Sequence, residues 1–344
     1  MCKCDGKYFI VPTFNPHLDL LRQALGNHVQ DCHAELVKTT LGWSRVYRVT
    51  LSEQGHSKRV SIIVKGINPS GPLDAREAER EPQFYRYLYR TLDIPKLDIH
   101  FIGVDEPTGW FVIIMQDLAL THCIPTHPHQ WSPDELGSVL RAYAQLHTNL
   151  LKSLDYPWLA PRHESLLNFD KIPDQVETVQ RLGIWGELPE IPDLIDYARE
   201  SCRKYADEKL TLLHGDTTPT NAPIPKSKHG PATLIDWQDV GVGMPEFDLA
   251  YLDLQPFDSA RLIPRRELLS SYWHFRARIE PEIPSYEERR ERQLHADVVT
   301  ALWLTAPASR VALHPYPEGT YPHMHWASQY RIVYNRLREL GSEI

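Results

Sequence analysis

The sequence predicts an α+β protein of two lobes, a small N-terminal lobe built on an antiparallel sheet and a larger, mostly helical C-terminal lobe. Three observations carry this. The chain has 344 residues, more than one ordinary hydrophobic core accommodates and enough for two. Strand patterning is concentrated before residue 118 and helical patterning dominates after it, which sets the expected lobes at 1–118 and 119–344. A content of 42% hydrophobic and 24% charged residues is that of a globular chain, not a disordered one.

The elements follow in order. Cys2 and Cys4 stand in a segment expected to lack structure. From about Ala34 to Gly66 the chain reads as a hairpin: "RVYRVTL" alternates around Val46, Tyr47 and Val49, "SEQGHSK" supplies a polar turn, and "RVSIIVKG" returns as a β-branched run that ends with Lys65. The stretch from Pro72 to Leu92 is amphipathic, with Phe84, Leu88 and Leu92 at helical spacing. Pro82 interrupts it, and since proline costs about 3 kcal/mol in a helix interior, the helix is expected to restart or bend there. Residues 99–104 and "WFVIIMQDL", Trp110 to Leu118, read as strands, the second apolar enough to be buried. The Pro- and His-rich "THCIPTHPHQWSPDEL" is a connecting loop, and Ser132 before Pro133 and Glu135 opens a helix with Leu136, Val139, Leu140, Tyr143 and Leu146 on one stripe. Beyond it the pattern is helical except for two strand-like pieces, "LTLLHGD" and "ATLIDWQ". Helices are expected over "ELLSSYWHFRARIE" and from Leu294 to Arg338, with a break near 314–323.

Composition excludes several functions. A net charge of −8 with no long Lys/Arg run leaves no basic face for a nucleic-acid backbone and favours, mildly, a cationic small partner. Five scattered cysteines, no basic-then-apolar opening and no run of 18 apolar residues read as a reduced, cytoplasmic chain that does not enter a membrane. His122, Cys123, His127 and His129, and likewise His323 and His325, lack metal-ligand spacing and read as solvated loop residues. "GVGMPEF" lacks the third glycine of a dinucleotide fingerprint, and no phosphate-binding G-x-x-x-x-G-K-[ST] occurs.

The chemistry concentrates in two places. Leu212 and Leu213 lead into His214, Gly215 and Asp216, with Asn221 five residues on; fifteen residues after that, "ATLI" delivers Asp236. Two carboxylates and a carboxamide at the ends of buried strands suit a hard divalent cation and an attacking hydroxyl, provided the strands are neighbours. Phosphoryl transfer needs these parts together with a lysine on the nucleotide phosphates.

"HGDTTPTN" followed by "LIDWQDVGVGMPEFDLAYL" resembles the signature of the aminoglycoside phosphotransferase and choline kinase family, which has the protein-kinase-like fold. The resemblance implies that Asp216 is the catalytic base, that Asn221 and Asp236 hold Mg²⁺, that Asp248 of "DLA" braces the catalytic loop, and that His214 is structural. It extends to "LGWSRVYRV" as the nucleotide-covering loop with Gly42 and Ser44 at its tip, and to Lys65 as the phosphate-pairing lysine. "EPQFY" supplies Glu81 as that lysine's ion-pair partner, with Glu77 one turn earlier as the alternative. "IIMQDL" resembles the hinge that receives adenine near Gln116 and Leu118, and "YAQLHTNL" around His147 resembles a helix end with a packing role.

The activity so implied is transfer of the ATP γ-phosphate, with Mg²⁺, to a hydroxyl of a small acceptor: an aminoglycoside-like antibiotic, an amino alcohol or a sugar. No motif identifies the acceptor. C-terminal aromatic residues, among them Tyr272, Trp273 and Trp326, are mostly core with a minority free to line its pocket, and Asp239, Asp253 and Glu339 are candidates to attract a cation. The single glycine of the covering loop keeps a second reading open, a binding or regulatory protein on the same fold.

Overall fold

The computed structural model describes residues 2–4, 7–9, 14–40, 44–53, 59–69, 75–125, 131–149, 156–159, 167–206, 210–227, 230–255, 264–315 and 321–344. Gly42, His127, His129 and Tyr316 lie outside them, as do the side chains of Glu77, Tyr321, His323 and His325. The chain forms two compact units. The first comprises 1–92, 96–122 and 236–239, the second 93–95, 123–235 and 240–344.

The first unit is built on a five-stranded antiparallel sheet. In spatial order its strands are β3 (Val29–Thr40), β4 (Ser44–Glu53), β5 (Val60–Ile67), β7 (Trp110–Gln116) and β6 (Ile99–Asp105). The hairpin read from Ala34 to Gly66 is thus part of a three-strand meander. Lys65 stands on the central strand, opposite Val46 of β4 and Ile113 of β7. Strand alternation places it on the face away from Ile62 and Val64, which pack with Phe14, Tyr47, Trp110 and Val112 into the core. Gly66 is needed on that core face: a Cβ there would meet the Phe14 ring at 2.3 Å.

Helix α1 (Leu18–Leu25) adds Leu20 and Leu21 to this core; an eight-residue helix offers too few turns for periodicity to reveal it. At the N-terminus the expected unstructured segment is corrected to a short antiparallel pair, β1 (Cys2–Cys4) with β2 (Lys7–Phe9). Helix α2 (Ala75–Gln83) carries Pro82 inside it and gives way to a π-helical turn, Phe84–Leu88, where the Tyr89 amide donates to the Phe84 carbonyl. Proline removes one helical hydrogen bond and crowds the preceding turn, and the widened turn absorbs both.

The second unit is mostly helical, and the α+β class holds for the chain as a whole. Its helices are α3 (Pro133–Leu146), α4 (Ile172–Arg181), α5 (Ile191–Lys204), α6 (Glu246–Asp253), α7 (Arg265–Ile279), α8 (Tyr286–Trp303), α9 (Thr305–Leu313) and α10 (Tyr321–Glu343). Val179, Leu194, Phe247, Val298, Val333 and Leu337 from five of these helices share one core, while α3 buries its Leu136, Val139, Leu140, Tyr143 and Leu146 stripe and packs against α7.

One expected strand does not form. "LTLL" makes a short strand, Thr211–Leu213, but its partner is Gly241–Gly243, paired antiparallel, and not "ATLI". Residues 231–236 carry no strand assignment. The Thr233 and Ile235 amides donate to the carbonyls of Pro223 and Asn221 at 2.9 and 3.0 Å. Pro223 has no amide to return and the Asn221 amide donates to Thr218, so the ladder is one-sided. Asp236 therefore follows a segment held by amide donation to the carbonyls of Asn221 and Pro223 and not by a strand ladder. It alone among the described non-glycine residues has a positive φ, +65°.

Ser132 caps α3 in a reciprocal box: its Oγ accepts from the Glu135 amide at 3.3 Å while Glu135 Oε2 accepts from the Ser132 amide at 2.9 Å. Ser132→Ala is expected to cost about 1 kcal/mol, read as a lower urea midpoint for loss of helical circular dichroism; an unchanged midpoint would show that the box contributes nothing.

Candidate active site

In the first unit the buried Lys65 ammonium lies 2.5 Å from Glu81 Oε2 and 2.5 Å from Asp236 Oδ1. Glu81, at 1% exposure, uses its other oxygen to accept from the Trp237 amide at 3.3 Å. The Trp237 ring stacks on Phe84 with centroids 4.3 Å apart, so the residue three positions after Glu81 holds the turn that follows Asp236. Burial by itself would depress the Lys65 pKa, but Asp236 and Glu81 outweigh it and hold it above the ordinary lysine value. Asp236 is pushed the other way: against the cost of burial, Lys65 and Lys38 hold its carboxyl well below the usual range. Burial raises Glu81, with Lys65 opposing.

Lys38 is the residue that sequence reasoning missed here. It lies on β3, and its Nζ is 3.2 Å from Asp236 Oδ2. With it, two lysines face two carboxylates. The available signal was position: Lys38 immediately precedes "TTLGWS", the segment read as the covering loop.

Ser44 opens β4 and is buried. At the far end of β7, the Gln116 amide donates to the Asp98 carbonyl at 2.9 Å, and the Leu118 carbonyl accepts from Thr121 at 3.0 Å. Between them Asp117, also passed over in the sequence, accepts from Ser61 Oγ at 2.6 Å, Arg48 Nε at 2.9 Å and the Ala119 amide at 3.0 Å. Burial raises its pKa, but these hydrogen bonds, led by Ser61, outweigh burial and hold the carboxyl below its usual value.

The second unit holds the HGD loop. Asp248, 2% exposed on α6, accepts from the His214 amide at 2.7 Å and the Gly215 amide at 3.0 Å. Its backbone carbonyl accepts from Thr217 Oγ1 at 3.1 Å. Gly215 has φ +86°, a conformation that a side chain would strain. His214 Nε2–H donates to the Ile235 carbonyl at 2.9 Å, and Nδ1 accepts from the Asp216 amide at 3.3 Å. That pattern is consistent with one neutral tautomer. Asn221 closes the loop, its Nδ2 donating to the Asp216 carboxylate at 2.9 Å and to the Asp216 carbonyl at 3.1 Å. With the amide so turned, Asn221 Oδ1 makes no hydrogen bond among the described residues and is the atom a hard cation would take.

His147 does more than pack. At the C-terminal end of α3 and fully buried, it donates through Nε2 to Asp248 Oδ2 at 3.1 Å and accepts at Nδ1 from the Tyr272 hydroxyl at 2.8 Å. Burial lowers its pKa despite the carboxylate, which keeps the ring neutral in this role. Among the described residues no three His, Cys, Asp or Glu side chains form a metal-holding group, and no helix is long and apolar enough to cross a membrane.

A model of the phosphotransferase enzyme family matches residues 37–291. Among solved structures, the chain is similar to a putative aminoglycoside phosphotransferase from Ralstonia eutropha JMP134, with 14% identity, a TM-score of 0.61, and 94% of this chain and 97% of that one covered. The choline kinase LicA from Streptococcus pneumoniae also aligns with 14% identity and a TM-score of 0.52, over 95% and 97% of the two chains. The amicoumacin kinase hAmiN, solved with AMP-PNP, Ca²⁺ and Ami, aligns with 14% identity and a TM-score of 0.55, over 90% and 88%. At such identities the likeness carries the protein-kinase-like fold. A search of curated proteins by sequence finds no match.

The Asp117 geometry has a pH signature. Its folded pKa lies below the ordinary carboxyl value of about 3.9, so its stabilisation is complete above that value and is lost as pH falls through the folded one. Asp117→Asn is expected to be less stable than the wild type at pH 7, with the gap closing toward pH 3 in acid titrations of urea stability. A gap independent of pH would rule the carboxylate out.

Proposed function

Because the chain belongs to the phosphotransferase enzyme family, we propose that it is an ATP- and Mg²⁺-dependent kinase that transfers the γ-phosphoryl group to a hydroxyl of a small acceptor, of the aminoglycoside-like, amino-alcohol or sugar class. The observation that carries this reading is the buried Lys65 ammonium shared by Glu81 and Asp236, a fixed positive charge of the kind that pairs nucleotide phosphates. The AMP-PNP named with hAmiN supports an adenine nucleotide.

In this reading Lys65, oriented by Glu81, pairs the α/β phosphates. Ser44 contributes from the start of β4, and the backbone around Gln116 and Leu118 receives the adenine. Asp216 orients the acceptor hydroxyl and takes its proton as the oxygen attacks phosphorus, held in place by Asn221 and by the loop that Asp248 braces. The Asn221 carboxamide and the Asp236 carboxylate, both hard oxygen donors, suit Mg²⁺. The cation, when bound, neutralises charge on the phosphoryl oxygens. The enzyme acts in the cytoplasm, a reducing compartment in keeping with the free thiols of Cys32, Cys123 and Cys202.

Two measurements test the reading. In an ADP-release assay across a panel of hydroxylated antibiotics, amino alcohols and sugars, at least one acceptor is expected to be turned over. Asp216→Asn is then expected to lose about a hundredfold or more of that rate with unchanged thermal unfolding; full activity in the variant would remove Asp216 from the chemistry, and nucleotide binding without any turnover would favour a regulatory protein. Because Lys38 occupies Asp236 Oδ2, Lys38→Ala is expected to tighten Mg²⁺ binding several-fold in calorimetry with AMP-PNP present. Unchanged affinity would show that Lys38 leaves the carboxylate at no cost.

A further inference from the structure

The second unit contains a cavity of about 920 Å³ walled by α7, α8 and α10, within the size range of small-molecule sites. Its lining runs against the charge of the chain. On a protein of net charge −8, Arg265, Arg266, Arg289, Arg290 and Arg336 converge on it, with two carboxylates among the described residues, Asp297 and Glu343. Both carboxylates are already engaged. Asp297 pairs with Arg265 and, at 2.7 Å, with Arg336; Glu343 lies 3.3 Å from Arg336. Arg265 also reaches Asp253 at 3.6 Å and Arg336 reaches Glu339 at 3.2 Å, so two acids read in the sequence as attractors of a cation are neutralised by arginines.

That leaves Arg266, Arg289 and Arg290 with no ion pair among the described residues. Arg289 lies over the Trp273 ring at 5.2 Å, which fixes its fork at the cavity wall, and Tyr286, 68% exposed, supplies a second ring. Guanidinium forks match phosphate and carboxylate oxygens two at a time, and aromatic faces accept a flat ring.

We propose that this cavity binds a small organic dianion bearing a flat ring, of the aryl phosphate or aromatic dicarboxylate class. None of its lining residues is among Lys65, Glu81, Asp216, Asn221 and Asp236, the set proposed for phosphoryl transfer. The arginines on α7 and α8 hold the anionic oxygens, while Trp273 and Tyr286 take the ring.

Calorimetric titration of the full chain with 4-nitrophenyl phosphate, and with inorganic phosphate as the ringless probe, tests this. The aryl phosphate is expected to bind more tightly than phosphate. Replacing two exposed side chains together, Arg266→Ala with Arg290→Ala, is expected to weaken it by about tenfold or more without altering the unfolding temperature. Equal affinity in the double variant and the wild type would place the anion elsewhere and overturn the site, as would no heat of binding at millimolar probe. Trp273→Leu is expected to reduce the preference for the aryl over the inorganic ligand; an undiminished preference would overturn the role of the ring.

Discussion

The first unit depends on one buried positive charge. An ammonium removed from water is costly unless opposite charge meets it directly, and Lys65 on the central strand is met from two directions, by Glu81 of α2 and by Asp236, which lies 171 residues away in sequence. Two carboxylates against one ammonium would leave excess negative charge. Lys38 restores the balance at Asp236, and the Trp237 amide adds a donor to Glu81. Apolar contact follows the polar one: Phe84 and Trp237 stack directly beside the ion pairs. Strand, helix and a remote four-residue segment are thereby fixed by a single requirement.

A second buried charge organises the helical unit. Asp248 gathers two consecutive amides of the HGD loop and the His147 ring, and Tyr272 on α7 fixes that ring from its other side. Three donors offset much of the cost of burying that carboxylate. The loop geometry so imposed uses Gly215 in its left-handed conformation and points Asp216 toward the Asn221 amide. His147 thus transmits the packing of α3 and α7 to the loop through hydrogen bonds, where the sequence suggested only a packed helix end.

What was legible in the sequence was whatever repeats or alternates. β4 was visible because its residues alternate, β5 and β7 because apolar residues follow one another, and α3 because its cap and its apolar stripe coincide. Asp216, Asn221 and Asp236 were visible through spacing and an apolar run, whereas the roles of Lys65, Glu81 and Asp248 came from the family resemblance. Pairing was not legible. "ATLI" looks like a strand, yet Pro223 cannot return a hydrogen bond, whereas "GVG", with almost no side chain to pattern, is the strand that pairs with Thr211–Leu213. Lys38 and Asp117, and the hydrogen-bonding role of His147, were missed for a shared reason: each side chain is held by partners 56 or more residues away in sequence, and local pattern carries no such distance. The arginines around the α7 and α8 cavity are likewise ordinary helix-surface residues until the helices are set side by side.

The discontinuity of the first unit has a consequence for how the protein is made. Residues 236–239 belong to it, although the ribosome delivers them only after the whole of 123–235. Domains commonly fold from the N-terminus as they emerge, but here a nascent sheet would wait with Lys65 and Glu81 in place and neither the second carboxylate nor the Trp237 ring yet translated. The surface left open in that interval is the flank of Phe84 and Tyr89 beside a half-neutralised ammonium. The order of synthesis therefore makes completion of the first unit wait for translation of 123–235, and no division of the gene at one point would yield both units whole.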